Sequence, residues 1–565
     1  MKISTWRSYV LGGLLILFGG IIISKLFSLQ VLNHGFYKAM AAGQQNISSV
    51  GSGLRGEIFA QDKHGNLYLL ATTQEVPYAF ASLPEIGDAR VAAEQLSLIL
   101  NLDFATVLSR LEGGTNLHAI LKRELTVEEN SALREAQLPG IYVRYDIRRF
   151  YPHGSLASHV LGFVNQDGKG QYGVEEYYND TLQGKEGILT IARNPAAYLV
   201  SLFQDTVQDG SDILLTLDFN IQSAAESILQ ATAARVKAEE GTVIVLEPST
   251  GKILALANIP SFDPNIYGKA EGLGVFQNAA TQKTYEPGSV FKSITLGAAL
   301  DAGVIHPDTE YTDTGFRNIG GRTIRNYDQR VYGKQTMTDV LKFSINTGVV
   351  YAEELLGHQP FLTYLTNFEL FRPTRVDLAG ETYSENRTFK QGYDVNFATA
   401  SFGQGIEMTS LQLMRAYTAL IGGGRMVRPF VADTILSSKG ETRKTEVEYS
   451  NLILSSKAAS QITSMMALVT EEGFSKGARV QGYYVGGKTG TAQVAWSALG
   501  VSRAGYSDKT IQSFIGFAPA FQPRFLILVK LDNPATRSAE ASATPIFQEL
   551  AQYLVNYYEI PPERE

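Results

Sequence analysis

Residues 285–300 read YEPGSVFKSITLGAAL and combine a tight turn with an apolar helix. Pro287 and Gly288 are turn residues, and the apolar and small residues after Ser289 predict that a helix begins there. Ser289 and Lys292 are three positions apart and therefore lie on one helix face, where the amine can accept the hydroxyl proton. The positive end of the helix would stabilise an alkoxide. This segment predicts a serine nucleophile with a lysine base.

The Ser-x-x-Lys spacing also occurs at Ser249–Lys252, between two apolar segments, 241–248 and 252–257. Both segments predict strands, and Ser-Thr-Gly between them is typical of a hairpin turn. We therefore interpret Ser249 as a structural residue.

A second motif, Ser344-Ile-Asn346, interrupts two apolar helical stretches, 337–343 and 349–356. A polar turn between buried helices is unusual unless its side chains do chemistry, although a turn or cap role for Asn346 stays open. The same Ser-x-Asn pattern recurs at 384–386, but within a polar run that predicts a solvated loop.

The third motif, Lys488-Thr-Gly490 followed by Thr491, occurs once in the chain. It lies in residues 485–494, which predict a strand with small residues where a ligand or another backbone comes close. An extended peptide could pair with such an edge strand while Lys488 and the threonine hydroxyls hold a carboxylate.

Composition excludes several classes of chemistry. The chain has 565 residues, no cysteine and seven scattered histidines without metal-binding spacing, so thiol catalysis, disulfides and Cys-ligated metals are excluded and no metal site is predicted. The net charge of −7 argues against a nucleic-acid partner. A hydrophobic content of 44% is enough for folded cores, and the length predicts several domains.

Residues 28–210 mix short strands with polar helices and predict an α+β region. A strand at 213–217 and a helix at 218–236, capped by Asp218, mark the start of a second domain. Two late strands and a final helix follow a mainly helical middle, at 513–518, 524–531 and 543–558. This order predicts one sheet whose strands come from opposite ends of the domain.

The N-terminus predicts a membrane anchor. Residues 9–23 carry no charge, and a spanning helix over 9–27 is flanked by Lys2 and Arg7 in a leader of residues 1–8 that would stay in the cytoplasm. The alternative is a cleaved signal peptide, with an Ala-x-Ala site at 39–41 that lies far beyond the apolar run.

The three motifs in this order resemble the active site of penicillin-recognising serine D,D-peptidases and serine β-lactamases. The whole chain further resembles class B high-molecular-weight penicillin-binding proteins, most of all their septal branch. Its landmarks are Arg55–Ile58, Arg149–Pro152, Ala157–Gly162, Tyr172–Glu176, Leu182–Gly187, Glu247–Ala255, Phe402–Ile406, Thr409–Gln412 and Gly516–Pro519. Two segments depart from the family pattern: Gln61–Gly65 replaces Asp-Arg-Asn-Gly, and Thr409-Ser-Leu-Gln412 replaces Thr-Pro-Leu-Gln.

The resemblance implies a multidomain fold. A transmembrane helix would precede an α+β pedestal at 28–210 and an α/β penicillin-binding transpeptidase domain at 211–565, an antiparallel sheet flanked by helices as in serine β-lactamases.

It also implies catalytic roles. Ser289 would attack the carbonyl of the penultimate D-Ala of a stem peptide and form an acyl-enzyme as the terminal D-Ala leaves. Lys292 would be the base, with its pKa lowered by burial and by the like charge of Lys488. Ser344 would relay a proton to the leaving amine, and Asn346 would hold the substrate amide.

The Lys-Thr-Gly strand would bind the substrate. Lys488 supplies positive potential, and the hydroxyls of Thr489 and Thr491, on either side of Gly490, bind the terminal carboxylate. The backbone N–H groups of Ser289 and Thr491 would form the oxyanion hole. No metal or cofactor is implied.

The implied partners are stem peptides ending in D-Ala-D-Ala, β-lactam antibiotics, a SEDS-type glycosyltransferase and other division proteins, at the bacterial cytoplasmic membrane with the catalytic domain outside. Three alternatives stay open: a lateral-wall transpeptidase, a carboxypeptidase or β-lactamase that uses water, and a β-lactam sensor without catalysis. The long region before residue 211 favours a transpeptidase, because small hydrolases do not need it.

Overall fold

A computed structural model describes residues 46–112, 117–193, 199–203 and 207–564, together with residues 12, 18–20, 22 and 23. Most of the predicted anchor, 9–27, and the alternative cleavage site at 39–41 lie outside the described residues. Among those that are described, no helix has the length and apolar character that a membrane crossing requires. The chain divides into two compact units, one of residues 1–55 with 183–210 and one of residues 56–182 with 211–565.

The first unit contains a three-stranded antiparallel sheet. Its strands are Asn46–Ser52, Glu186–Arg193 and Leu199–Phe203, with Glu186–Arg193 in the middle. Val50 pairs with Ile188, and Ile191 pairs with Ser201.

The second unit contains a seven-stranded mixed sheet. Asp212–Asp218 runs parallel to Ile58–Gln61 and antiparallel to Ala432–Leu436, so strands from both sides of residue 211 pair directly. The predicted boundary between 28–210 and 211–565 therefore falls inside a continuous sheet. It stays a prediction. The remaining strands are Leu67–Ser82, His118–Lys122, Ile141–Phe150 and Thr442–Lys444.

Three helices pack on the outer part of this sheet, at Ala89–Leu100, Phe104–Glu112 and Val127–Ala136. Asp88 caps the first through the N–H groups of Arg90 and Val91. Their apolar faces meet around Leu96, Val107 and Leu133 and form a core separate from the two larger hydrophobic cores. Short elements follow at Ser158–Leu161, Phe163–Val164, Gly170–Gln171, Gly173–Tyr177 and Asn179–Leu182.

A five-stranded antiparallel sheet, here called the central sheet, carries the Lys-Thr-Gly motif. Its order is Ile253–Ile259, Glu240–Leu246, Phe525–Asp532, Tyr506–Ala518 and Gly486–Ala495. Glu240–Leu246 pairs with Phe525–Asp532, which confirms the prediction that strands from opposite ends of the domain share one sheet. The Ser249 turn joins its first two strands, and Gly251 there has a φ of +84°.

Helices cover both faces of the central sheet. Phe219–Val236 and Ala543–Tyr557 lie on one face, close to the predicted bounds, and Asp218 caps the first as predicted. Lys292–Asp301, Ser410–Ile421 and Ser456–Glu471 contribute to the core on the other face.

The middle of the chain adds further elements around the site. The helices are Ala279–Gln282, Met337–Lys342, Asn346–Leu356, His358–Asn367 and Asp394–Ala400. The two-stranded pairs are Thr284–Tyr285 with Met408–Thr409, Glu310–Asp313 with Gly333–Thr336, Phe316–Ile319 with Arg322–Arg325, and Arg425–Val427 with Tyr449–Leu452. Short 3₁₀ helices occur at Leu83–Glu85, Pro264–Lys269, Leu273–Phe276, Gly288–Phe291, Tyr327–Gln329, Phe389–Gln391, Lys476–Ala478, Trp496–Leu499 and Ala539–Ala541.

One loop prediction is right only in part. The segment 384–386 is an irregular loop in which Glu385 is exposed, but Asn386 is buried: its Nδ2 donates to the carbonyl of Glu407 at 2.8 Å, and its Oδ1 accepts the N–H of Glu407. A polar sequence does not reveal that the Asn386 side chain binds the backbone of Glu407, which lies 21 residues later.

Candidate active site

The nucleophile turn starts with a single 3₁₀ turn and only then becomes an α-helix. Gly288–Phe291 is 3₁₀, and the α-helix runs Lys292–Asp301. Gly288 has a φ of +61°, and a Cβ built there would lie 3.1 Å from the Cβ of Ala492. Glycine adopts this left-handed backbone and allows this close approach without steric strain. The turn therefore packs directly on the Lys-Thr-Gly strand.

Two further contacts fix this turn. The N–H of Gly288 donates to the carbonyl of Gly403 at 3.0 Å, and a Cβ on Gly403 would lie 2.2 Å from the Gly288 oxygen. The buried Tyr417 hydroxyl donates to the carbonyl of Val290 at 2.5 Å. Ser289 is half-buried between residues whose backbones are held on both sides.

Lys292 is fully buried and contacts the second motif. Its Nζ lies 2.6 Å from the carbonyl oxygen of Ser344, 3.0 Å from Ser344 Oγ and 2.7 Å from Asn346 Oδ1. These distances bring three of the sequence-predicted residues into one group. The backbone N–H of Lys292 donates to the carbonyl of Ser289, but within the described residues Lys292 Nζ makes no hydrogen bond to the Ser289 hydroxyl, so the predicted amine–hydroxyl bond is not formed here. Such bonds are often long without substrate.

Burial lowers the pKa of Lys292 well below its usual value, and the positive charge of Lys488 lowers it further. Burial lowers the pKa of Lys488 to about 7. Neither amine has a carboxylate partner among the described residues. Both amines are desolvated and their charges repel each other. A neutral amine that can act as a base is therefore present near neutral pH.

Ser344 has a left-handed backbone with a φ of +55°. It lies between the helices Met337–Lys342 and Asn346–Leu356, as the interrupted apolar pattern predicts. Its N–H donates to the carbonyl of Leu341 at 3.2 Å, and its own carbonyl accepts from Lys292. A non-glycine residue holds such a conformation only where its surroundings dictate it.

Asn346 is engaged at both ends of its amide. Its Oδ1 accepts from Lys292, and its Nδ2 donates to the carbonyl of Arg325 at 2.9 Å. It therefore links the buried amine to the hairpin Phe316–Arg325.

The strand Gly486–Ala495 is an edge strand of the central sheet and pairs on one side with Tyr506–Ala518. Gly490 faces the nucleophile turn, since a Cβ there would lie 3.0 Å from the carbonyl oxygen of Pro287. Lys488 is buried, and its Nζ lies 3.1 Å from the carbonyl of Thr489. The third motif thus lies against the first.

Sequence reasoning missed Glu286, directly before Pro287. Its carboxylate accepts the Tyr506 hydroxyl at 3.0 Å and the N–H of Gly405, and burial raises its pKa to about 7. The sequence did contain one signal of this residue, because a glutamate directly before the Pro287–Gly288 turn is a charged side chain in a segment predicted to be buried. Its partner Tyr506 is distant in sequence and could not be identified without the fold.

Among the described residues, no group of three His, Asp or Glu side chains is placed to hold a metal ion. The chemistry available to the site is that of a serine hydroxyl, two buried amines and amide or hydroxyl groups. This set suits covalent acyl transfer.

Two family models match the chain. One, described as the penicillin binding protein transpeptidase domain, matches residues 241–552 and includes all three motifs. The other, described as the penicillin-binding protein dimerisation domain, matches residues 51–215.

Three curated relatives match over most of their own length. Stage V sporulation protein D of Bacillus subtilis is 32% identical over 85% of this chain and 74% of that protein. The probable peptidoglycan D,D-transpeptidase PenA of Neisseria meningitidis is 29% identical over 99% of this chain and 93% of that protein. The peptidoglycan D,D-transpeptidase FtsI of Buchnera aphidicola is 29% identical over 83% of this chain and 81% of that protein.

Among solved structures, penicillin-binding protein 2X from Streptococcus thermophilus is similar with a TM-score of 0.75 and 23% identity, covering 90% of this chain and 80% of that chain. At this identity the likeness concerns the fold.

Proposed function

The chain belongs to the penicillin-binding protein transpeptidase family, and on this premise we propose that it is a class B peptidoglycan D,D-transpeptidase that acts through a serine acyl-enzyme. One observation carries the assignment. A fully buried Lys292 amine, next to the Ser289 turn, contacts both Ser344 and Asn346.

In the first step, Ser289 Oγ attacks the carbonyl carbon of the penultimate D-Ala, and Lys292 Nζ takes the hydroxyl proton. A neutral amine has two hydrogens and one lone pair. It can donate to Ser344 O and Asn346 Oδ1 and still accept a proton. The bond to the terminal D-Ala then breaks, and a proton passes through Ser344 to the leaving amine.

In the second step, the amine of a neighbouring stem peptide attacks the Ser289 ester. That amine loses a proton to Lys292, the ester bond breaks, and Ser289 regains its hydrogen. The product is a new amide crosslink, and the enzyme returns to its starting state.

The edge strand binds the donor peptide by main-chain pairing. The hydroxyls of Thr489 and Thr491 bind the terminal carboxylate, and Lys488 contributes positive potential. The N–H groups of Ser289 and Thr491 form the oxyanion hole, for which each donor is worth roughly 3 kcal/mol. The close approach of Gly490 to Pro287 and of Gly288 to Ala492 supports this placement, because it leaves the strand and the turn adjacent.

The division role and the membrane anchor are also part of the proposal. Residues 9–27 anchor the chain in the cytoplasmic membrane, with the catalytic part outside and a SEDS-type glycosyltransferase among its partners. The uncharged run at 9–23 and the similarity to FtsI support this. Depletion in the native bacterium should give filaments without septa, whereas round cells would indicate lateral-wall synthesis instead.

The activity is tested by intact-protein mass spectrometry of the full chain in detergent after incubation with benzylpenicillin. We expect a persistent adduct on the wild type and none on Ser289→Ala. No adduct, with intact drug and folded protein, would contradict the catalytic assignment and support a sensor. No adduct with destroyed drug would indicate a hydrolase.

A further inference from the structure

A buried carboxylate outside the three motifs lies behind the second one. Asp313 ends the strand Glu310–Asp313 and is 2% exposed. Its Oδ1 accepts the Thr347 hydroxyl at 2.7 Å and the N–H of Gly315 at 2.9 Å. Its Oδ2 accepts Asn326 Nδ2 and the N–H of Tyr332, both at 2.8 Å. No cation pairs with it among the described residues, so four hydrogen bonds hold the carboxylate.

Asn326 extends this group to the start of the helix Asn346–Leu356. Its Oδ1 accepts the N–H of Thr347 at 3.1 Å. The N-cap residue of this helix is Ile345, which makes no side-chain cap. The first N–H groups of a helix need an acceptor, and here Asn326 supplies one from a distant segment. The helix start is therefore fixed from outside its own sequence.

The same segment fixes Asn346. The carbonyl of Arg325, adjacent to Asn326, accepts Asn346 Nδ2 at 2.9 Å, while Lys292 occupies Asn346 Oδ1. Thr347 directly follows Asn346 and is fully buried. A shift of Thr347 would move its neighbour Asn346. It would also move Ser344, which precedes Asn346 by two residues and has a left-handed backbone. Both side chains are contacts of the buried amine.

We propose that Asp313 is a positioning residue for acyl transfer: acting through Thr347 and Asn326, it holds Ser344 and Asn346 against Lys292. The inference rests on the proposed function, since it concerns how fast the Ser289 ester forms. Asp313 touches no reacting atom in this scheme. Its four acceptor bonds instead set the geometry of groups that do.

Asp313→Asn is the direct test, because an amide nitrogen cannot accept the two donors that face one of the carboxylate oxygens. We expect the second-order rate of acylation by nitrocefin to fall roughly 10- to 100-fold, the loss expected from misplacing reacting groups by about 1 Å. Rapid-quench kinetics should assign most of the loss to the acylation step rather than to initial binding.

Asp377→Asn is the matched control. Asp377 is also buried, and its carboxylate accepts the N–H of Val431, the N–H of Ala432 and the Tyr178 hydroxyl, but it has no contact with the three motifs. We expect a similar loss of thermal stability and an unchanged acylation rate for the folded protein. Equal loss of acylation in both variants would show that Asp313 has only a structural role and would overturn the proposal.

Thr347→Val and Thr347→Ser keep the test decisive if Asp313→Asn does not fold. Valine removes the hydroxyl that donates to Asp313, and serine keeps it. We expect valine to slow acylation at least 10-fold and serine to restore it to within about 3-fold of wild type. Equal rates for the two variants, or a wild-type rate for Asp313→Asn, would overturn the proposal. Failure of the wild type itself to form the Ser289 adduct would instead contradict the proposed function.

Discussion

Buried charge is handled in opposite ways in two regions of this protein. At the central sheet, Lys292 and Lys488 are buried without a carboxylate partner among the described residues, and the pKa of each is lowered. In the region before residue 211, Arg149 is buried against Glu175 at 2.7 Å and also donates to the carbonyl of Gly56 at 2.7 Å. Glu175 offsets the cost of burying the Arg149 charge, whereas a buried amine without a carboxylate partner has a lowered pKa and can act as a base. The cost of desolvation is therefore offset by ion pairing in one region and leaves a reactive amine in the other.

The largest expected effect comes from Lys292→Met, which removes the base and keeps the volume. General-base catalysis contributes about 10²- to 10⁴-fold, so we expect acylation by nitrocefin to fall near the upper end of this range. The free energy of unfolding should stay within about 2 kcal/mol of wild type, because the buried amine is replaced by an apolar chain. Stopped-flow acylation and urea denaturation measure the two quantities. A large loss of both would remove the contrast with Arg149.

Glu175→Gln should show the reverse. Breaking a buried ion pair by removing one charge lowers the free energy of unfolding by about 3–5 kcal/mol, since Arg149 then stays buried without its partner. The fraction that remains folded should acylate at the wild-type rate. Urea denaturation, with active-site titration of the folded fraction, checks this. Slow acylation in fully folded Glu175→Gln would mean that the two regions are coupled.

The lysines also predict how stability depends on pH. The pKa of Lys488 is about 7 in the folded protein and close to its usual value of 10.5 when unfolded. Between these values the unfolded state binds the extra proton, so stability should rise with pH, by at most about 1.4 kcal/mol per pH unit from this group. Denaturation from pH 7 to 9 should show a weaker rise in Lys488→Met. The same pH dependence of unfolding free energy in wild type and Lys488→Met would show that another group takes up the proton.

Ser249→Ala should have the smallest effect. Ser249 has the same spacing to Lys252 as Ser289 has to Lys292, but it is an exposed residue in a hairpin turn. We expect acylation within about 2-fold of wild type and a change in unfolding free energy of about 0.5 kcal/mol or less. Loss of the benzylpenicillin adduct in this variant would refute the choice between the two serines.

Local pattern was sufficient for several elements. The helices Phe219–Val236 and Ala543–Tyr557 and the strand Phe525–Asp532 lie within a residue or so of their predicted bounds, because their apolar patterns are long, and Asp218 caps the first helix. Asn386 was misjudged because a polar run looks the same whether its side chains meet water or a distant backbone. Thr347, Asp313 and Tyr506 could not be linked to the site because their partners lie up to 220 residues away.

The amino-acid sequence by itself determined the identity of the reactive groups, because hydroxyl, amine and amide chemistry belongs to the residue and a three-residue spacing orients Ser289 and Lys292 locally. The tertiary structure decided what those groups can do. Burial of Lys292 and its contacts with Ser344 and Asn346 require segments more than fifty residues apart, and the pKa of Lys488 depends on the sheet and helices that exclude water. Desolvation is a property of the assembled interior, and no single segment of the chain contains it.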